Sequence, residues 1–277
     1  MYTSGQMQDI PKTTFVWNDD TEAERIFYTS ATAACGFFYE KNFIVLPYLT
    51  RGSASCVHLP HLNFEKIPDY WKIVKNTDNS EYISVPKTVR DAIKTLLPKS
   101  ETQNISILHN REVSWKAVEK VFWKYVQNLS LDYLLPIANL EVRVTSYGTI
   151  SSYLRPKNKK NTLICYLRKD MSVAHLAEII LTAQFRQIQG KLKLPWETTE
   201  GMVDILLTHS PLAKYFHNYK PTLYATNSTT EHMHIQSSSY LRLLGLSYAK
   251  PSSIIKNTVF YLNKPIEHIF TYSHIHK

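Results

Sequence analysis

The chain has 277 residues, of which 44% are hydrophobic and 20% charged, a composition that excludes an intrinsically disordered protein and allows one large domain or two ordinary ones. Its 32 Lys and Arg residues outnumber its 23 Asp and Glu residues, and the net charge of +9 favours an anionic partner. The three cysteines lie far apart without CxxC spacing, which excludes a disulfide framework and a zinc ribbon or finger.

The sequence predicts a cytoplasmic protein without a membrane partner. Its N-terminus lacks a basic start followed by an apolar run, which is the pattern of a secretory signal. No window approaches the roughly 18 continuous apolar residues of a membrane span.

The first part of the chain is predicted to form a polar lead-in followed by strands. Residues 1–25 are polar and acidic, which is typical of a solvated lead-in. From about residue 24 to residue 50, aromatic and β-branched residues dominate until Pro47, so this segment predicts one or two buried strands. Residues 56–86 are rich in proline and aromatic residues and predict irregular structure wrapped on a core.

Two helices are predicted next. Apolar residues at three- and four-residue intervals predict a short helix from about 88 to 97, which Pro98 ends. Residues 111–129, REVSWKAVEKVFWKYVQNL, carry a longer apolar stripe with Lys and Glu between, which predicts a helix packed on the core. If this helix exposed Trp115 and Trp123 instead, a protein-interaction scaffold would be favoured.

The pattern then changes to that of strands. Residues 140–148, LEVRVTSYG, alternate between apolar and polar side chains, which predicts a half-buried strand ending at Gly148. The runs TISSYL and NTLICYLR flank the basic insert RPKNKKN, so a β-hairpin is predicted between about 149 and 168. Its charged tip is excluded from the core.

The last elements are helical and then mixed. Helices are predicted from about 172 to 189 and from about 198 to 208. A polar linker near 218–230 leads to a small C-terminal module, residues 231–277, with a helix and a β-hairpin. The fold class is therefore α+β, with a mixed sheet packed against helices in a main domain over residues 26–220.

Residues 140–185 resemble the central part of SprT-like zinc metallopeptidases, through SYGTISSYL, NTLICYL and the helix SVAHLAEIILTA. That family carries a Trp-Gly-Ser-Cys-Ser stretch before a helix with HELAH. The residues that match the first motif are Tyr147, Gly148, Thr149, Ser151 and Ser152. His175 takes the position of the first zinc ligand, whereas Leu176 and Ile179 replace the catalytic Glu and the second His. The resemblance implies an inactive relative of the fold.

The sequence also allows an alternative interpretation, in which the protein binds zinc through His175 and Glu178. His175 and Glu178 lie three residues apart and project from one face of the predicted helix, which suits two ligands of one metal. A divergent zinc hydrolase would add a later ligand such as Glu200, Asp204 or His209. Because the HExxH signature is absent, we expect no cofactor and a buried apolar stripe with His175 at its border.

The C-terminal run TVFYLNKPIEHIFTYSHIH is similar to the β-hairpin that opens the winged-helix domain of response-regulator transcription factors. In that family a Thr near the end of the hairpin starts a helix, and Thr271 occupies this position. The recognition helix of the family comes later, and the sequence ends before one. The resemblance therefore implies an incomplete winged helix.

The strongest sign of a partner is a basic patch on the predicted hairpin. Its cations are Arg155, Lys157, Lys159, Lys160, Arg168 and Lys169. Four of them lie within six residues at the tip, which we expect to be a mobile arm that contacts phosphates. Tyr147, Tyr153 and Tyr166 are candidates for stacking on bases. The leading interpretation is a non-catalytic nucleic-acid-binding protein, and the alternatives are another anionic partner or a solvated loop.

Overall fold

The structure is a computed structural model, and it describes residues 9–41, 43–48, 56–77, 84–98, 105–129, 135–192 and 196–219. The strands are β1 (Lys12–Val16), β2 (Ile44–Leu46), β3 (Cys56–His58), β4 (Asn139–Thr145), β5 (Ser151–Leu154) and β6 (Thr162–Arg168). The helices are α1 (Asp19–Ala34), α2 (Phe37–Glu40), α3 (Tyr70–Lys75), α4 (Lys87–Leu96), α5 (Ile105–Gln127), α6 (Val173–Leu192) and α7 (Trp196–His209). The predicted module over 231–277, including its likeness to a winged helix, lies outside the described residues.

A four-stranded mixed sheet lies at the centre of the described fold, with the strands in the order β1–β4–β6–β5. β1 and β6 each pair in parallel with β4, and β5 pairs antiparallel with β6. The predicted hairpin between 149 and 168 is therefore confirmed. β2 and β3 form a separate parallel pair, which backbone hydrogen bonds between His58 and Gly148 tie to the main sheet. The predicted α+β class, with a mixed sheet packed against helices, is confirmed.

Helices cover both faces of this sheet. Leu140 and Val142 of β4 belong to an apolar core that includes residues of α5, α6 and α7. α1 contacts β4 and, with α3 and α4, contributes to a second apolar core. The prediction of a half-buried strand at 140–148 is wrong in two respects, because β4 ends at Thr145 rather than at Gly148, and because Arg143, between the core-facing residues, is only 8% exposed.

Residues 19–34 form α1, so the strand predicted from about residue 24 is wrong over this part. The helix begins with a capping box, in which the Asn18 side chain accepts a hydrogen bond from the Thr21 N–H at 2.9 Å. Every residue from 21 to 31 is buried. A helix that is buried on all sides has no polar face, and its period is therefore hidden in the sequence.

Residues 12–25, assigned from the sequence to a polar lead-in, form β1 and the first part of α1. Glu22 is buried, and its carboxylate accepts hydrogen bonds from Trp17 Nε1 at 2.7 Å and from the Ser146 N–H at 2.8 and 3.0 Å. These contacts fix α1 to the segment that follows β4.

The other predicted helices are confirmed as α4, α5, α6 and α7, with α5 starting earlier than predicted, at Ile105. Strong apolar periodicity together with end signals made these elements predictable. Among the residues that the structure describes, no helix combines the length and the apolar content needed to cross a bilayer.

Candidate nucleic-acid interface

The connection between β5 and β6, residues 155–161, is here called the basic turn. Within it, the Lys159 N–H donates to the Pro156 carbonyl at 3.2 Å, and the N–H of Thr162, at the start of β6, donates to the Lys159 carbonyl at 3.3 Å. The Asn161 carbonyl accepts from the N–H groups of Ala138 and Asn139 at 2.8 and 3.1 Å. The last residue of the basic turn is thereby hydrogen-bonded to the residues at the start of β4.

The basic turn carries four of the six predicted phosphate contacts. Arg155, Lys157, Lys159 and Lys160 are all exposed there, while Pro156 is buried. The sequence from 142 to 169 contains seven Lys and Arg residues and no Asp or Glu. The turn therefore presents a concentrated positive charge.

The structure does not bring Arg168 to the basic turn. β6 is seven residues long, so Arg168 lies about 20 Å from Thr162, at the opposite end of the strand. Its guanidinium is fully buried and donates to Asp170 at 2.7 and 3.2 Å and to the Cys56 carbonyl at 2.7 Å. This arrangement neutralises the charge and connects β6 to β3.

Lys169, the sixth predicted contact, also lies at the far end of β6. Its N–H donates to the Thr145 carbonyl at 2.7 Å, and its own carbonyl accepts from Arg111 Nη2 at 3.1 Å. The residue is half-buried. The predicted patch is thus divided between the two ends of one strand, with four cations at one end and two at the other.

The three tyrosines considered for base stacking do not form a stacking surface. Tyr147 and Tyr166 are 3% and 1% exposed, so the prediction that they stack on bases is wrong. Tyr153 is half-buried beside the basic turn. Burial raises the pKa of its phenol, and the charges of Arg186, Glu200 and Arg155 also act on it.

His175, the first residue of the alternative zinc site, is held inside the helical layer. Its ring packs against that of Tyr219 with the centroids 5.7 Å apart, and its Nδ1 lies 3.3 Å from Ser172 Oγ. Burial lowers the pKa of its imidazole. Leu176 and Ile179, at the positions where the resembled family has its Glu and second His, are buried apolar side chains. These positions do not fit the zinc site of that family.

Tyr219 was not indicated by any sequence pattern, yet it joins several of the alternative ligands. Its hydroxyl donates to Asp204, and its phenol pKa is raised by burial and by the charges of Glu178 and Asp204. His209 lies at the end of α7, where its Nδ1 is 2.6 Å from Thr208 Oγ1. Within the described part of the chain, no group of three or more His, Cys, Asp or Glu residues is arranged to hold a metal ion.

The two tryptophans that would favour a scaffold are in the core. Trp115 is fully buried and donates from Nε1 to Glu119 at 3.0 Å, and Trp123 is 3% exposed. Both pack edge-to-face on Phe122. The exposure on which the scaffold hypothesis depends is therefore not present.

Comparisons with models of known protein families, with curated proteins and with solved structures each give no match to this chain.

Proposed function

We propose that the protein binds nucleic acid without catalysing a reaction, and that the basic turn contacts the phosphates. The observation that carries this proposal is the group of exposed cations on a hydrogen-bonded turn, Arg155, Lys157, Lys159 and Lys160. Phosphate contacts fix a protein on nucleic acid without requiring base readout. The anionic partner is therefore a phosphate backbone.

The physical basis is the release of counterions. Each phosphate that a cation neutralises on duplex DNA contributes about −0.9 to the slope of log K against log salt concentration. Four contacts from the basic turn would thus give a slope of roughly −3 to −4.

The cations of the original patch have different roles in this proposal. Arg155, Lys157, Lys159 and Lys160, all exposed on the basic turn, are the phosphate contacts. Arg168 has a structural role, since its guanidinium is buried against Asp170. Lys169 lies too far along β6 to share the footprint of the basic turn.

The test compares two variants with equal loss of charge. In the first, Arg155, Lys157, Lys159 and Lys160 are replaced with Ala. In the matched control, four exposed lysines elsewhere are replaced with Ala, namely Lys66, Lys72, Lys75 and Lys87. Binding of a fluorescein-labelled 20-base-pair DNA duplex is measured by anisotropy at several KCl concentrations.

We expect the turn variant to lose most of the salt slope and the control variant to keep it. An unchanged slope in the turn variant, or an equal loss in both variants, rejects the basic turn as the interface. A wild-type protein that does not bind the duplex or a single strand of the same sequence rejects the function itself.

A further inference from the structure

Lys12, on the edge strand β1, lies in the same row of the sheet as the end of the basic turn. The register pairs Lys12 with Asn139 and Asn139 with Thr162. Neighbouring strands are about 4.8 Å apart, so the Cα atoms of Lys12 and Thr162 are roughly 10 Å apart. No local pattern in the sequence connects these two residues.

A short chain of backbone hydrogen bonds fixes Lys12 relative to the basic turn. The Lys12 N–H donates to the Ala138 carbonyl at 2.9 Å, and the Ala138 N–H donates to the Asn161 carbonyl at 2.8 Å. Ala138 thus bridges the start of β1 and the last residue of the basic turn. The side chain of Lys12 is exposed at this position.

Two carboxylates beside β1, Glu119 of α5 and Glu141 of β4, are hydrogen-bonded to other groups. Glu119 accepts hydrogen bonds from the Thr13 hydroxyl and from Trp115 Nε1. Glu141, which pairs with Thr14 in the register, accepts from Arg143 Nε at 2.7 Å. Successive side chains of a strand point to opposite faces, so Lys12 and the Thr13–Glu119 contact lie on different faces of β1. Glu141 is paired with Arg143, and the positive charge of Lys12 adds to that of the basic turn.

We propose that Lys12 is a further phosphate contact, and that a nucleic-acid backbone is bound across the ends of β1, β4 and β6. This inference rests on the proposed function and extends its footprint to a second segment of the chain. A row of about 10 Å corresponds to roughly three nucleotides of rise along one strand of a duplex. Lys12 and the basic turn would therefore contact phosphates roughly three nucleotides apart on the same backbone.

The test uses single substitutions in the full chain. Lys12→Ala should make the salt slope for the same duplex less negative by about 0.9, so that the loss of affinity between 50 and 200 mM KCl becomes about 3.5-fold smaller. Lys12→Arg should keep the wild-type slope. The control is Lys87→Ala, which removes an exposed lysine of α4 and should leave the slope unchanged.

Three outcomes distinguish this inference from the proposed function. A reduced slope in both the turn variant and Lys12→Ala supports the extended row. A reduced slope in the turn variant with a wild-type slope in Lys12→Ala overturns the role of Lys12 and leaves the proposed function standing. Wild-type slopes in both variants overturn both. Thermal unfolding of Lys12→Ala, measured alongside, should match wild type, because the exposed ammonium is not needed for the pairing of β1.

Discussion

Gly148 lies directly against the guanidinium of Arg25. A Cβ atom at position 148 would be 2.0 Å from Arg25 Nε and 2.4 Å from Cζ, and the Gly148 φ of +87° is one that other residues adopt with strain. Arg25 in turn donates to Thr149 Oγ1 at 2.7 Å and to the Tyr147 carbonyl at 3.3 Å. The glycine therefore allows α1 to approach the connection between β4 and β5.

Gly148→Ala should lower the free energy of unfolding by about 2–4 kcal/mol, because the cost of positive φ adds to that of overpacking. Urea denaturation measures this loss. Gly36→Ala is the matched control, since Gly36 has a similar φ of +83° but its nearest atom to the added Cβ is 3.9 Å away. The control should cost only about 1 kcal/mol. Equal losses in the two variants would show that Arg25 does not crowd position 148.

Glu24→Ala should be strongly destabilising, by about 3–5 kcal/mol, because it removes one of the two carboxylates that pair with the buried guanidinium of Arg143 and leaves only Glu141. Glu24 and Arg143 are each 8% exposed and form an ion pair. Arg143 also donates to the Tyr166 hydroxyl at 2.9 Å. The same substitution at Glu112, whose ion pair with Lys116 is exposed, is the control. Chemical denaturation in which Glu24→Ala is no more harmful than Glu112→Ala would contradict this ranking.

His175 should make the protein less stable below about pH 6.5. Burial lowers the pKa of its imidazole in the folded state, so the unfolded chain takes up a proton first as the pH falls. The stabilising contribution is complete above the ordinary pKa near 6.5 and is lost as the pH falls through the lowered value.

The measurement is the difference in unfolding free energy between pH 7.5 and pH 5.5, for wild type and for His175→Gln. We expect a smaller difference in the variant, which has no imidazole at this position. The imidazole pKa of His209 is also lowered by burial, but this residue is present in both proteins and its effect cancels. Equal pH dependence in both proteins would be evidence against this role of His175.

Trp115→Ala should cost about 3–5 kcal/mol of stability, since it creates a large cavity between α5 and the sheet. The side chain of Trp115 is completely buried, with 0% of its surface exposed to solvent, whereas Trp71 is 42% exposed. Trp71→Ala is the control, and its effect on the melting temperature should be much smaller. If both substitutions lowered the melting temperature equally, the burial of Trp115 would not be what stabilises α5.

The sequence predicts elements whose signal is local. α5 and the β5–β6 hairpin were predictable because a stripe of period 3.6 and two apolar runs around a basic insert are complete within each segment. α1 could not be predicted in this way, because all residues from 21 to 31 are buried, including the charged Glu22 and Glu24. Its sequence therefore shows no separation into an apolar and a polar face. The capping box of Asn18 with Thr21 marks where α1 begins, but it does not indicate how far the helix extends.

The residues of the candidate site also fall into two groups, those whose position a local pattern predicts and those whose position depends on distant contacts. The exposure of Lys157, Lys159 and Lys160 follows from a polar insert between two strands, so the sequence is sufficient to predict it. The burial of Arg168 depends on its contact with Cys56, which is 112 residues away in the chain. The place of Lys12 depends on the register of β1 against β4. Contacts of this kind require the tertiary structure.

The bond between Glu22 and Ser146 joins groups that are 124 residues apart in the chain. On the ribosome, β1 and α1 emerge first but must wait for β4 before their buried acids and the strand edge find partners. Folds that depend on such distant pairings have high contact order and form slowly. The nascent N-terminal segment therefore passes through a period in which it is open to aggregation and to capture by chaperones.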